Sequence, residues 1–262
     1  MLAYPQIDPV LLALGPFQIR WYGLAYIVGI LAGVRMAKPS LQGLGLSNDA
    51  VWDLPTYLII GILLGGRIGY VVFYDAAYYL AHPLHVISVW EGGMAYHGGA
   101  LGAVAASWLF ARRHRIPILP LLDVMGWVST IGIGLGRVAN FINGELVGRV
   151  ADVPWAMIFP NNGDVARHPS QLYEALGEGV VLFALLSLIR RSKRLIPGQL
   201  FGTYLVGYGV IRFGLEYFRE PDIQKGFVLA QLSMGQVLCS LMVVGGVGII
   251  SWSFLRRLKE TR

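Results

Sequence analysis

The sequence predicts an all-α, polytopic integral membrane protein with seven transmembrane helices, and three observations carry that expectation. The chain is 55% hydrophobic and 14% charged, with a mean hydropathy of +0.59, whereas a soluble domain carries about 25% charged residues. Seven stretches are long and apolar enough to be read as spans, each needing about 20 residues to cross ~30 Å of hydrocarbon. Basic residues cluster after every second stretch.

The stretches are roughly 19–37, 51–74, 93–111, 118–140, 170–189, 197–219 and 231–255. Lipid offers no partner to an unpaired backbone group, so each is expected to be helical. The first closes on Arg35 and Lys38, and the second carries a single arginine, Arg67. The third opens on Met94-Ala-Tyr-His-Gly-Gly99 and closes on Arg112, Arg113 and Arg115. The fourth contains the apolar run Leu121 to Leu135, broken only by Asp123. The fifth follows His168-Pro-Ser-Gln-Leu-Tyr-Glu174 and ends on Arg190, Arg191, Lys193 and Arg194. The sixth ends in the charged segment Arg212-Phe-Gly-Leu-Glu-Tyr-Phe-Arg-Glu-Pro-Asp222. The seventh holds Cys239 and closes on Arg256, Arg257, Lys259 and Arg262. The gaps leave no room for a soluble domain, so residues 1–262 are expected to form one seven-helix transmembrane catalytic domain. No basic n-region precedes the first apolar run, and that helix is expected to stay as an anchor rather than be cleaved as a signal peptide.

Thirteen of the 21 Lys and Arg follow odd-numbered spans. The positive-inside rule puts those ends in the cytoplasm, with the N-terminus outside and the C-terminus inside. The net charge of +6 comes from these loops and suits acidic lipid headgroups rather than nucleic acid. The other basic residues are Arg20, Arg67, Arg137, Arg149, Arg167, Arg212, Arg219 and Lys225, and all fall toward the outer side. At 1.5 Å per residue, Arg67, Arg137 and Arg212 lie about 22–28 Å from the inner ends of their spans. His97 and Glu174 lie about 6 Å inside the outer ends of theirs. Chemistry-capable side chains from several helices therefore share the outer leaflet.

Arginine deep in a span is costly unless it faces protein, a wet cavity or an anionic partner. Arg137 heads the densest segment, Gly136-Arg-Val-Ala-Asn-Phe-Ile-Asn-Gly-Glu-Leu-Val-Gly148, although snorkelling to headgroups is its plain alternative. Arg212 and Glu216 share a helix face at i, i+4, as a structural ion pair or as a glutamate orienting an arginine toward phosphate. Arg67 reads equally as structural or functional. Ser170 has the position of an N-cap for span five. The two glycines after His97 allow close approach of backbone or ligand. His82 and His85 make a weak metal pair with nothing to complete it. Asp75 and Tyr78-Tyr79 read as an interfacial belt. Cys239, buried among apolar residues, is a poor nucleophile. The patterns Gly29-xxx-Gly33, Gly61-xxx-Gly65-xxx-Gly69, Gly98-xxx-Gly102 and Gly132-xxx-Gly136 predict close helix packing. The glycines of Gly132 to Gly136 are no phosphate loop, since no Walker lysine follows. No internal repeat suggests a transporter of inverted halves.

These blocks resemble the bacterial prolipoprotein diacylglyceryl transferase family. The resemblance rests on the thirteen-residue segment 136–148, Arg20-Trp-Tyr-Gly-Leu, Tyr96-His-Gly-Gly99, His168-Pro-Ser-Gln-Leu-Tyr-Glu174 and Arg212-xxx-Glu216 through Asp222, in the family's order along nearly the whole chain. The resemblance implies transfer of the sn-1,2-diacylglyceryl group from phosphatidylglycerol to the lipobox cysteine thiol of a preprolipoprotein, with release of glycerol-1-phosphate. The substrate supplies the thiol. Arg137 and Arg212 would stabilise charge on the leaving phosphate, held by Glu145 and Glu216. Asn140 and Asn143 would bind phosphate or headgroup hydroxyls, and His97 would take the thiol proton or orient the lipid. Tyr26, Gly98, Gly99, Gly148, Glu174 and Arg219 complete the expected binding set. No metal or soluble cofactor is called for. The expected setting is the bacterial inner membrane, as a monomer, with the active site toward the outer leaflet. A lipid transporter using the arginines as a selectivity ring and a non-catalytic assembly subunit are the competing readings. The first would want polar groups on both sides of the midplane, and the second has no need of clustered Arg, Glu, Asn and His.

Overall fold

The computed structural model describes residues 2–73, 76–88, 92–160, 162–192, 195–220, 227–229 and 232–260. Asp75, Lys193, Arg194, Asp222, Lys225 and Arg262 fall outside the described residues. The chain forms two compact units, one of residues 38–122 and one of 1–37 with 123–262.

In the unit of residues 38–122, helix α2 (Asn48–Phe73) packs along helix α4 (Tyr96–His114), and the short α3 (Ala76–Ala81) lies between them in sequence. Ser47 starts α2 by accepting the Ala50 N–H at 3.2 Å. The interface is made of glycine. A methyl on Gly69 would lie 2.8 Å from Gly98 Cα, and one on Gly61 would lie 2.6 Å from the Gly102 carbonyl oxygen. Gly65 is closed against the Gly98 carbonyl in the same way. The predicted small-residue stripes thus face one another and let two backbones touch. Arg115, in the left-handed conformation, ends α4 by donating its N–H to Ala111 and Arg112.

The second unit opens with an antiparallel hairpin, β1 (Val10–Leu14) and β2 (Phe17–Arg20), turning at Gly15 with φ +60°. Helix α1 (Trp21–Gly43) follows at once. Arg20 is therefore the last residue of a strand rather than part of the first helix. Helix α5 (Ile118–Asn143) meets α1 where a methyl on Gly29 would come 3.1 Å from Gly132 Cα. Gly136 has open space beside it, so the expected Gly132-xxx-Gly136 stripe contributes only its first member. The fifth apolar stretch is one continuous rod: α6 (Ser170–Glu174), a π-helical turn (Ala175–Val181) and α7 (Leu182–Arg190). Helix α8 (Gln199–Leu215) and helix α9 (Met234–Glu260) close through Gly202, Gly209 and Gly246. Asp123 anchors the start of α8 by accepting the N–H groups of Gly198 and Phe201, each at 2.7 Å. Trp127, Leu182, Leu186, Leu200 and Tyr208 form the apolar core of this unit, and Trp127 donates its indole N–H to the Ser187 hydroxyl at 2.8 Å.

Among the described residues, five helices are long and apolar enough to cross a membrane: Trp21–Gly43, Asn48–Val72, Ile118–Asn143, Ser170–Arg190 and Met234–Lys259. The other two expected spans are helical but fall outside that group. α8 has 17 residues and leaves the helix at Glu216, short of the expected 219. The all-α expectation needs one amendment, because three two-stranded ribbons occur among the described residues. They are the β1–β2 hairpin, β3 (Met157–Ile158) with β4 (Ala166–Arg167), and β5 (Phe227–Leu229) with β6 (Leu232–Ser233).

Candidate functional site: a buried arginine–glutamate cluster

Five ionisable side chains meet inside the unit that holds α5 to α9. Arg137, six residues before the end of α5, directs Nη1 at Glu174 Oε2, 3.0 Å away, and Nε at Glu178 Oε2, 3.2 Å away. Arg212, in the last turn of α8, pairs Nη1 with Glu174 Oε1 and Nη2 with Glu216 Oε2 at 2.7 Å. Its Nε stands 3.8 Å from Glu178 Oε1. Glu174 and Glu178 are one helical turn apart, so both carboxylates face the same side of the rod. Glu174 is bidentate across two guanidiniums and links two helices at one point. The Ser233 hydroxyl, just before α9, donates to Glu216 Oε1 at 3.0 Å. The Glu174 and Glu178 side chains are at most 1% exposed and Arg212 is 9% exposed, but Arg137 is 18% exposed. Arg137 is thus the cation through which an outside anion can reach the cluster.

This cluster corrects the sequence reading in two places. Glu145 does not hold Arg137. The α5 helix ends at Asn143, and Gly144 (φ +64°) and Leu146 (φ +54°) turn the chain so that Glu145 is exposed. Its Oε1 accepts from Asn140 Nδ2 at 2.8 Å and Asn143 Nδ2 at 3.3 Å. Arg137 finds its carboxylates on the next rod instead. One of them, Glu178, is a residue the sequence reading missed, although a lone carboxylate in an apolar span is a functional hypothesis by default. Ser170 is also no N-cap. It is the first residue of α6 and donates its hydroxyl to the Leu146 carbonyl at 3.1 Å. Beside it, Gln171, fully buried, donates Nε2 to the Glu145 carbonyl at 2.6 Å. The His-Pro-Ser-Gln block thereby grips the backbone of the Asn-Gly-Glu-Leu block.

Gly148 sits at a crossing of three chain segments. A methyl there would lie 2.7 Å from the Phe218 carbonyl oxygen and equally near the His168 Cβ. Gly148 donates its N–H to His168 at 3.0 Å, Arg149 donates to Phe218 at 2.9 Å, and Gly148 and Arg219 form a β-bridge. Arg149 Nε donates to the Arg219 carbonyl at 2.8 Å, and Arg167 pairs with Glu220. His168 packs between Tyr173 and Phe218, with Nδ1 3.1 Å from the Tyr173 hydroxyl. Burial lowers its pKa below the usual histidine range. Tyr26, half-exposed on α1, shares a hydroxyl contact of 3.3 Å with Tyr22.

In the unit of residues 38–122, His97 lies in the first turn of α4, and its side chain is outside the described set. Gly98 is closed against the backbone of α2, and a methyl on Gly99 would make ordinary contact with Ile62, at 3.5 Å from its Cγ2. Arg67 is 4% exposed and acts as a hub. It donates to the carbonyls of His85, Val86, Gly92 and Gly93 and stacks its guanidinium over Tyr79. The His82 and His85 rings, 6.0 Å apart, pack with Tyr78.

Apolar helices of membrane-spanning length, with a buried arginine–glutamate cluster among them, define a membrane protein. A sequence profile of the prolipoprotein diacylglyceryl transferase family matches residues 9–252. The phosphatidylglycerol–prolipoprotein diacylglyceryl transferase of Rhodospirillum rubrum is 49% identical over 256 residues, covering 94% of this chain and 92% of the relative. The enzymes of the same name from Methylocella silvestris and Pseudoalteromonas translucida are 47% and 44% identical, each covering at least 97% of both chains. The chain belongs to the prolipoprotein diacylglyceryl transferase family and is a transferase.

Proposed function

We propose that this transferase binds the phosphate of phosphatidylglycerol at the Arg137–Arg212 pair and passes the sn-1,2-diacylglyceryl group to the lipobox cysteine of a preprolipoprotein. The observation that carries this reading is the meeting of two guanidiniums, from α5 and α8, on the single carboxylate of Glu174. Their orientation is fixed before any substrate arrives. Preorganised charge costs no reorganisation as negative charge builds on a leaving group. The substrate thiolate attacks the glyceryl carbon bonded to the phosphate oxygen. The C–S bond forms, the C–O bond breaks, and glycerol-1-phosphate leaves with the bond electrons.

In this reading Arg137 and Arg212 take the phosphate, while Glu174 and Glu216 hold the forks. Asn140, Asn143 and Glu145 form a polar edge at the end of α5 suited to headgroup hydroxyls. His97 takes the thiol proton. Tyr26, Gly98, Gly99, Gly148 and Arg219 belong to the binding surface. The chain crosses the bacterial inner membrane seven times and works as one catalytic domain and as a monomer. Its N-terminus is outside, its C-terminus is cytoplasmic, and the site opens to the outer leaflet. The alternation of basic loops supports that orientation. The test is transfer of radiolabelled glycerol from phosphatidylglycerol to a lipobox peptide by the purified protein. Labelled peptide in the wild type and none with Arg137→Ala supports the site, and undiminished labelling with Arg137→Ala removes it.

A further inference from the structure

The arginine pair is over-neutralised. Two guanidiniums face three carboxylates, joined by five ion pairs of 4 Å or less: Arg137 to Glu174 and Glu178, and Arg212 to Glu174, Glu178 and Glu216. Fully ionised, the cluster carries one net negative charge in surroundings where an uncompensated charge is expensive. A lipid phosphate brings another. The site as it stands, with every carboxylate ionised, is a poor host for an anion.

The three carboxylates are not equally engaged. Glu174 uses both oxygens, one on each arginine. Glu216 uses Oε2 on Arg212 and Oε1 on the Ser233 hydroxyl. Glu174 Oε2, Glu178 Oε1 and Glu216 Oε2 are all buried outside hydrogen-bond geometry among the described residues. The first and last have a guanidinium nitrogen at 3.0 and 2.7 Å, whereas Glu178, which uses Oε2 on Arg137, has Arg212 Nε only at 3.8 Å from its Oε1. The charged and titratable groups around Glu178 are Arg137 on α5, Arg212 on α8, Glu174 on α6 and Cys239 on α9, with Tyr208 of α8 beside Arg137. Glu178 also stands in the π-helical turn, a distortion concentrated at functional sites.

We infer that Glu178 carries a proton while phosphate is bound, and that this proton is what lets a carboxylate-rich arginine pair accept an anionic lipid. The proton comes from solvent and adds to Oε1. That changes an acceptor without a donor into a donor, the group a phosphate oxygen takes, and returns the bound cluster to one net negative charge. Interacting carboxylates share protons as a set, but the open oxygen marks where this one resides. The inference rests on the phosphate-binding reading of Arg137 and Arg212, which Arg212→Ala tests separately.

The experiment is infrared spectroscopy of the full chain in lipid bilayers with bound phosphatidylglycerol, prepared in H2O and in D2O. A protonated carboxyl has a C=O band that shifts in D2O, whereas lipid ester carbonyls do not. The expected result is such a band in the wild type and none in Glu178→Gln. Binding by the wild type should weaken as pH rises, and the variant should be flat, because an amide cannot ionise. A wild type without the band, a band that survives in Glu178→Gln, or loss of lipid binding by a folded Glu178→Gln at every pH overturns the inference. Should that variant fail to fold, Glu178→Asp keeps the carboxyl and must move the band; an unmoved band also overturns it. Intact lipid binding in Arg212→Ala sinks the phosphate site itself, whatever the infrared result.

Discussion

Gly134 of α5 and Gly179 of the π-helical turn face each other so closely that a methyl on Gly179 would lie 2.7 Å from Gly134 Cα. That contact brings α5 against the rod carrying Glu174 and Glu178, and Arg137 sits one turn beyond it. The distance from Arg137 to its two carboxylates is set there. Gly179→Ala must push the rod outward, at an overpacking cost of about 1–3 kcal/mol. We expect lower thermal stability in detergent and a transfer rate reduced more than tenfold at temperatures where the variant is folded. Unchanged stability and rate would mean that the contact sets nothing.

Arg137→Lys is expected to lose transfer nearly as completely as Arg137→Ala, by a hundredfold or more on the scale of one lost oxyanion donor, ~10²–10³. Lysine keeps the charge but cannot address Glu174 with one nitrogen and Glu178 with another while turning an edge outward. Steady-state transfer by both variants measures this. A lysine variant close to wild type would show that charge alone suffices.

The orientation is open to a fusion test. A reporter active only outside the cytoplasm should be active when inserted after Gly163, in the loop between α5 and α6, and silent after Arg190 or at the C-terminus. Activity after Arg190 would invert the arrangement and move the arginine cluster to the inner leaflet.

Much of this was legible in the sequence, and the reason is the spacing of neighbours. Gly61, Gly65 and Gly69 announce a glycine face, and Gly98 and Gly102 supply its match. Arg212 and Glu216 pair because i and i+4 meet on any helix. What could not be read depends on tertiary contact or on a single backbone turn. Glu145 lies eight residues from Arg137 in sequence, yet two left-handed residues around it turn it away. The true partners of Arg137 are 37 and 41 residues downstream on another helix. Val10–Leu14 was hidden because it is an unbroken apolar run without the alternation that marks a strand, and Phe17–Arg20 because it is short and runs into the first span.

Stability should depend on His168. Its packing between Tyr173 and Phe218 disfavours the imidazolium, so its folded pKa lies below the unfolded value of about 6.5. The unfolded chain binds the proton more readily. The contribution is therefore present above the unfolded pKa and is lost as pH falls through the folded one. The melting temperature should decline from neutral pH toward acid, and His168→Gln, which cannot ionise, should show a shallower decline. Equal slopes for the two proteins would remove His168 as the cause.

The roles of His97 and Arg212 separate in a pH series. If His97 generates the thiolate, His97→Gln should still bind phosphatidylglycerol but lose transfer at neutral pH. It should recover part of its rate toward pH 9, because a free thiol ionises unaided near ~8.5. Arg212→Ala removes the cation that bridges Glu174 and Glu216. It leaves two buried carboxylates with no guanidinium between them, and no rise in pH restores what is lost. Alkaline conditions add negative charge to a site that must take a phosphate, so its rate should stay flat or fall further. The measurement is transfer rate from neutral to pH 9 for both variants, with lipid binding followed in parallel. Alkaline recovery in His97→Gln alone assigns the proton to His97. If His97→Gln loses lipid binding and shows no recovery, the histidine positions the lipid. The proton acceptor must then lie among Glu145, Glu174 and Glu216 or in solvent.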